Sequence, residues 1–227
     1  MTLQHVDILF QLIVFLFAIS IHESAHAWMA NRCGDPTARM LGRISLNPLK
    51  HIDPVGTILM PLIAAIAHIP VIGWAKPTPV DPRNFKNPVR DDILTAVVGP
   101  ISNFVVAAGA TLVLAVIKHS SSFGSQVVFG LPLGWVSLQS DSLLVPVSFF
   151  IYQLLLINVV LAVFNLIPVP PLDGSHVIRH FMPESLGRIY DTAGWIGLLA
   201  LVYLGGGLLS AFISPFLRFF NFILLRV

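Results

Sequence analysis

Two histidines and a glutamate fall within five residues, His22-Glu23-Ser24-Ala25-His26, just after the apolar run Ile13–Ser20. Residues four apart on a helix share a face and stand about 6 Å apart along its axis, so both imidazoles can converge on one ion. His-Glu-x-x-His in this form is the zinc-hydrolase arrangement. Two neutral imidazoles hold the ion, the ion brings a bound water to a pKa of about 7, and the glutamate takes its proton. The bland alternative is a polar patch packed against other helices, which is rare because ionisable groups are costly in an apolar segment.

A catalytic zinc site takes a third protein ligand and leaves a fourth position open. The candidate lies far along the chain, in Asn165–His176 (NLIPVPPLDGSH). Pro168, Pro170 and Pro171 end an apolar helix, because each lacks an N–H and disfavours helix at the residue before it. The Asp173-Gly174 pair then makes a turn. An extended stretch turning back at membrane depth is tolerated only where protein buries it or a wet cavity lines it. Such a turn could deliver Asp173 to the histidine pair; without His22 and His26 in the chain, it would read first as a surface turn outside the membrane.

His22–His26, Gly99–Asn103 (GPISN) and Asn165–Gly174, in that order, resemble the site-2 protease family of intramembrane zinc metalloproteases. The resemblance spans about residues 8–180. It implies one zinc ion per chain held by His22, His26 and Asp173, with Glu23 as general base and Asn103 and Asn165 as further polar groups of the catalytic site. It also implies cleavage of transmembrane substrates within or near the bilayer. The PDZ and CBS modules of some relatives are absent, and the apolar run 55–74 is additional to the family's three-helix core.

The elements that must position these residues are apolar. Of 227 residues, 56% are hydrophobic and 11% charged, with a mean hydropathy of +0.84, which indicates an integral membrane protein. A formal charge of +2 gives no sign of nucleic-acid binding. Apolar runs at about 8–30, 55–74, 93–117, 143–167 and 193–214 approach the roughly 20 residues of a membrane span. The fold class expected is an all-α polytopic bundle of four to five transmembrane helices forming a single domain over 1–227. Its catalytic core is 8–180, followed by a C-terminal helix and interfacial segment over 192–227, with Pro215–Val227 lying along the interface.

If His22, His26 and Asp173 share one ion, runs 8–30 and 143–167 must point the same way, so one of the two runs between them fails to cross. Run 55–74, broken by Pro61 and Pro70, is the one expected to be re-entrant. Arg32, Arg39, Arg43 and Lys50 before it, and Lys76, Arg83, Lys86 and Arg90 after it, put both flanks in the cytoplasm. The site then opens to the cytoplasmic side of a membrane, most simply the plasma membrane. In RMLGRISLNPL, Met40, Ile44 and Leu46 alternate with polar residues, as in a short membrane-associated β-hairpin or, equally, in an ordinary interfacial loop. An unpaired strand there could receive a substrate peptide.

His176 is three residues from Asp173 but would be a surplus ligand, and His51, His68, His119 and His180 have no partner at ligand spacing. Cys33, the single cysteine, is too far from His26 along a helix to join its coordination sphere. Two other functions stay open on sequence: a membrane metallopeptidase acting on peptides that do not span the bilayer, and a non-catalytic metal-binding scaffold. A purely structural zinc site closes with four protein ligands and has no use for Glu23.

Overall fold

The computed structural model of the chain describes residues 3–60, 63, 74–136 and 142–226. Its longer helices are α1 (Leu3–Cys33), α2 (Pro88–Ser120), α3 (Ser122–Gly130), α4 (Leu144–Asn165), α5 (Asp173–Arg179), α6 (Glu184–Leu204) and α7 (Gly206–Arg226). Four of these, α1 from Leu9 onward, α2, α4 and α7, are long and apolar enough to cross a membrane. At 1.5 Å per residue, even the 21-residue α7 covers the roughly 30 Å of a bilayer's hydrocarbon core.

Helix α2 lies between α1 and α4 and runs against both. Its Thr95 faces His26 and its Asn103 faces His22 on α1, while Asn103 also meets Asn158 on α4. The C-terminal end of α1, the N-terminal end of α2 and the C-terminal end of α4 therefore gather at one end of the bundle. Small residues on α2, Gly99, Asn103, Ala107 and Thr111, are all buried and let the helices approach closely. Toward the other end the core is Leu114, Val128, Leu155, Val159 and Leu224. There Lys118 donates to the carbonyls of Leu224 (2.7 Å) and Leu225 (3.2 Å), satisfying orphan C-terminal groups of α7.

Three expectations need correction. No β-strand is present among the described residues. The alternating stretch is instead a single helical turn, Thr37–Met40, and then a turn in which Gly42 adopts a φ of 65° and donates to Arg39 O. A left-handed glycine cannot carry strand alternation forward, so the hairpin gives way to a loop. The re-entrant hairpin over 55–74 is not supported either. Of that segment the structure describes a π-helical turn, Pro54–Leu59, with Met60, Ile63 and Trp74, and the rest lies outside the described residues. Last, the apolar run 193–214 is not one span, and Pro215–Arg226 does not form a separate segment. The helix stops at Gly205, and Pro215 sits inside α7. Gly205 supplies the helix stop that a hydropathy window does not register.

The structure places the two ends of the connection 34–87 together. Lys86 N–H donates to Cys33 O (3.2 Å) and Trp74 N–H to Gly56 O (3.3 Å), so the chain returns to the end of the bundle it left. Two buried ionic side chains tie this connection down. The Arg43 guanidinium gathers the carbonyls of Lys50, Lys76 and Pro77. Asp35, fully buried, accepts from the Thr37 and Asp81 N–H groups and from the Asn84 amide.

Burial by itself would raise the Asp35 carboxyl, but these hydrogen bonds together outweigh it and hold it below the usual carboxylate range. Its stabilising contribution is therefore complete above that usual range and drains away as the pH falls through the depressed value. We expect Asp35→Ala to lower stability by about 2–3 kcal/mol at neutral pH. The difference should shrink on acidification when thermal unfolding in detergent is followed at neutral and acid pH.

Candidate metal centre

His22 and His26 stand a turn apart near the end of α1, both buried, at 4% and 7% exposure. Their Nε2 atoms are 3.0 Å apart. The chain brings in Asp173 from 147 positions after His26, at the first residue of α5. Its Oδ2 lies 3.1 Å from His22 Nε2 and 3.3 Å from His26 Nε2.

The opposite ring nitrogens decide the tautomers. His26 Nδ1 is 2.6 Å from the backbone carbonyl of Thr95, which can only accept. His22 Nδ1 is 2.7 Å from Asn103 Oδ1, and Asn103 is oriented by its amide nitrogen, which donates to Ala18 O (3.2 Å) and Asn158 Oδ1 (2.7 Å). Both Nδ1 atoms thus carry the proton, and both Nε2 atoms present lone pairs. Asp173 Oδ2 is buried and has no donor. Three acceptors pointing at one another with no hydrogen among them repel unless a cation lies between. Their separations also suit one: ligands about 2.0–2.1 Å from a tetrahedral zinc are about 3.3 Å from each other. Among the described residues this is the group of His, Cys, Asp or Glu side chains close enough to hold an ion.

Two glycines make the approach feasible. A Cβ on Gly99 would lie 2.3 Å from His26 Nε2 and 2.8 Å from His22 Cε1, and one on Gly174 would lie 2.2 Å from Leu166 O. The first lets α2 pack onto the imidazoles; the second lets the turn after α4 fold tightly enough to place Asp173. That turn is not the extended stretch anticipated. Consecutive bonds from Ile167, Val169, Leu172 and Ser175 N–H close it on itself. Helix α6 buttresses it, with Tyr190 Oη donating to Pro168 O (2.8 Å) and Leu198 and Leu201 packed on Ile167 and Leu172.

The two asparagines expected at the catalytic site make different hydrogen bonds. Asn103 is fully buried with its donors committed, so it acts through His22 and has none left for a reacting oxygen. Asn165 turns back on its own helix, donating to Leu161 O (2.9 Å). Asn158, Thr95 and Thr78 are the residues sequence reading passed over. Asn158 could have been found as a lone amide in an apolar helix. Thr95 contributes a main-chain carbonyl, for which no residue type is a signal. His176 and His180 both lie against Asp92 rather than the triad, at 3.4 and 2.8 Å.

Comparison with known proteins meets this geometry from a separate direction. The sequence profile of Peptidase family M50 matches residues 10–204. The chain belongs to peptidase family M50. Its relatives include YwhC of Bacillus subtilis (strain 168), provisionally named a zinc metalloprotease, 34% identical over 85% of this chain and 78% of its own. Rip2 of Mycolicibacterium smegmatis, with a name of the same kind, is 28% identical over 84% of this chain and 64% of its own. The zinc metalloprotease MJ0392 of Methanocaldococcus jannaschii is 26% identical over 88% of this chain and 43% of its own. No solved structure matches at a significant level. This M50 protein is a zinc metalloprotease of the membrane, as family, relatives and four apolar helices together indicate.

Hydrogen-bonding partners of metal-binding histidines typically matter about 10–100-fold in metal affinity. Asn103→Ala in this M50 protein should weaken zinc binding by about that factor while leaving His22, His26 and Asp173 in place. Competition with a fluorescent zinc chelator measures the change.

Proposed function

We propose that this M50 protein is an intramembrane endopeptidase that hydrolyses peptide bonds of transmembrane substrates, with its site open to the cytoplasmic side of the plasma membrane. The observation that carries the reading is the three-acceptor cluster with Glu23 beside it, on a helix that is itself apolar enough to span. In this reading His22, His26 and Asp173 hold the zinc. The bound ion supplies an acidified water and a Lewis acid for the scissile carbonyl.

The remaining work belongs to the protein. Glu23 takes a proton from the attacking water and returns it to the leaving amine. Thr95 and Asn103 fix the rings of His26 and His22 through their Nδ1 protons, so neither imidazole reorganises during the reaction. A helical substrate hides its carbonyls in its own hydrogen bonds, so it must unwind locally before a peptide bond can reach Glu23. The cytoplasmic orientation is supported by Arg32, Arg39, Arg43, Lys50, Lys76, Arg83, Lys86 and Arg90, which flank the site end of the bundle, against Lys118 alone among residues 118–142 of the sequence.

Two substrates separate this reading from its rival: a fluorescently labelled single-span helix with a central Asn-Gly pair, and labelled casein. We expect purified wild type to cut the helix in detergent and Glu23→Gln to lose at least about 100-fold in rate with its zinc content unchanged. Cleavage of casein alone would point to the peptidase that acts on non-spanning peptides. In parallel, Asp173→Ala should lose both zinc and activity, because two imidazoles hold the ion poorly. Full zinc occupancy in Asp173→Ala, with depletion in His26→Ala, would remove the carboxylate from the ligand set.

A further inference from the structure

The cation cluster explains His22, His26 and Asp173 but leaves one member of the motif without an account of its orientation. Glu23 is half-buried, and an unrestrained glutamate side chain samples many rotamers. Among the described residues, the hydrogen bonds to its carboxylate come from one place, Thr78, 55 positions along the chain. Thr78 N–H donates to Glu23 Oε2 at 2.9 Å. The Thr78 hydroxyl lies 2.7 Å from the same oxygen and 3.0 Å from Glu23 O.

The sequence around Thr78 is built for this. Pro77 and Pro79 flank it. Neither has an N–H, so Thr78 carries the one amide donor in the tripeptide, and Pro79 keeps it out of helical conformation. The segment is held on both sides by buried ionic groups. Arg43 grips the carbonyls of Lys76 and Pro77 just before it, and Asp35 takes the N–H of Asp81 just after it. A loop serving only as a connection needs neither anchor aimed at this point.

We propose that Thr78 is the positioning residue of the catalytic base. Its amide and hydroxyl hold Oε2, which leaves Oε1 as the oxygen that takes the proton. The inference rests on the reading of Glu23 as the base. A base set in place before the substrate arrives loses less in reaching the transition state, and misplacement by about 1 Å can cost about 100-fold.

The test compares wild type, Thr78→Val, Thr78→Ser and Glu23→Gln on the labelled single-span helix and on labelled casein. Valine keeps the shape and the backbone N–H but removes the hydroxyl; serine restores it. We expect Thr78→Val to lower kcat about 10- to 100-fold on every substrate that wild type cuts, with KM within about twofold. Zinc content and melting midpoint should match wild type, and Thr78→Ser should recover kcat to within about threefold. Wild-type kcat in Thr78→Val would overturn the proposal. So would an equal loss in Thr78→Ser, or a loss of zinc or of melting midpoint in step with kcat. If Glu23→Gln abolishes cleavage while Thr78→Val does not, only the role of Thr78 fails; if Glu23→Gln retains cleavage, the reading of the base fails with it.

Discussion

Three lone-pair acceptors within 3.3 Å of one another, inside an apolar bundle, are a demand that the rest of the molecule must meet. A cation relieves their repulsion, but only if the acceptors are already converging when it arrives. Convergence in turn requires both Nδ1 protons to be occupied elsewhere, which recruits Thr95 and Asn103. It also requires α2 to come close enough to offer them, which Gly99 permits. Helix direction is subject to the same requirement. α1 and α4 must finish at the same end, and the chain from 34 to 87 must return to where it started.

Much of this was legible in the residues. His22, Glu23 and His26 declare themselves because helical spacing and a known chemistry coincide in one short string. Shared depth then predicts that α1 and α4 run parallel, and the Cys33–Lys86 contact agrees. The failures have physical reasons as well. Met40, Ile44 and Leu46 alternate like a strand, yet Gly42 turns the backbone between them. Periodicity describes where side chains would point if the backbone were regular, and says nothing of a φ that only glycine adopts readily. The C-terminal break has a similar cause: Pro215 is conspicuous yet sits inside α7, and Gly205 ends the helix before it.

Residue type was a poor guide to role among the polar groups. Asn165 stands beside the proline turn and Asn103 near the middle of α2, and resemblance gave both the same standing. In space, one bonds its own helix while the other links α1 to α4 through Asn158. Thr78 and Thr95 carried no comparable signal. One contributes a main-chain carbonyl and the other a main-chain amide as well as a hydroxyl, and backbone groups are common to every residue.

Arg43 has a consequence of another kind. By drawing together the carbonyls of Lys50, Lys76 and Pro77, it closes the neck of a noose, and the Lys76 N–H to His51 O bond tightens it. Lys50 and Lys76 therefore meet at one guanidinium although the sequence separates them widely. The side chains that set Thr78 beside Glu23, Arg43 and Asp35, thus both precede residues 51–74 in the chain rather than belonging to them.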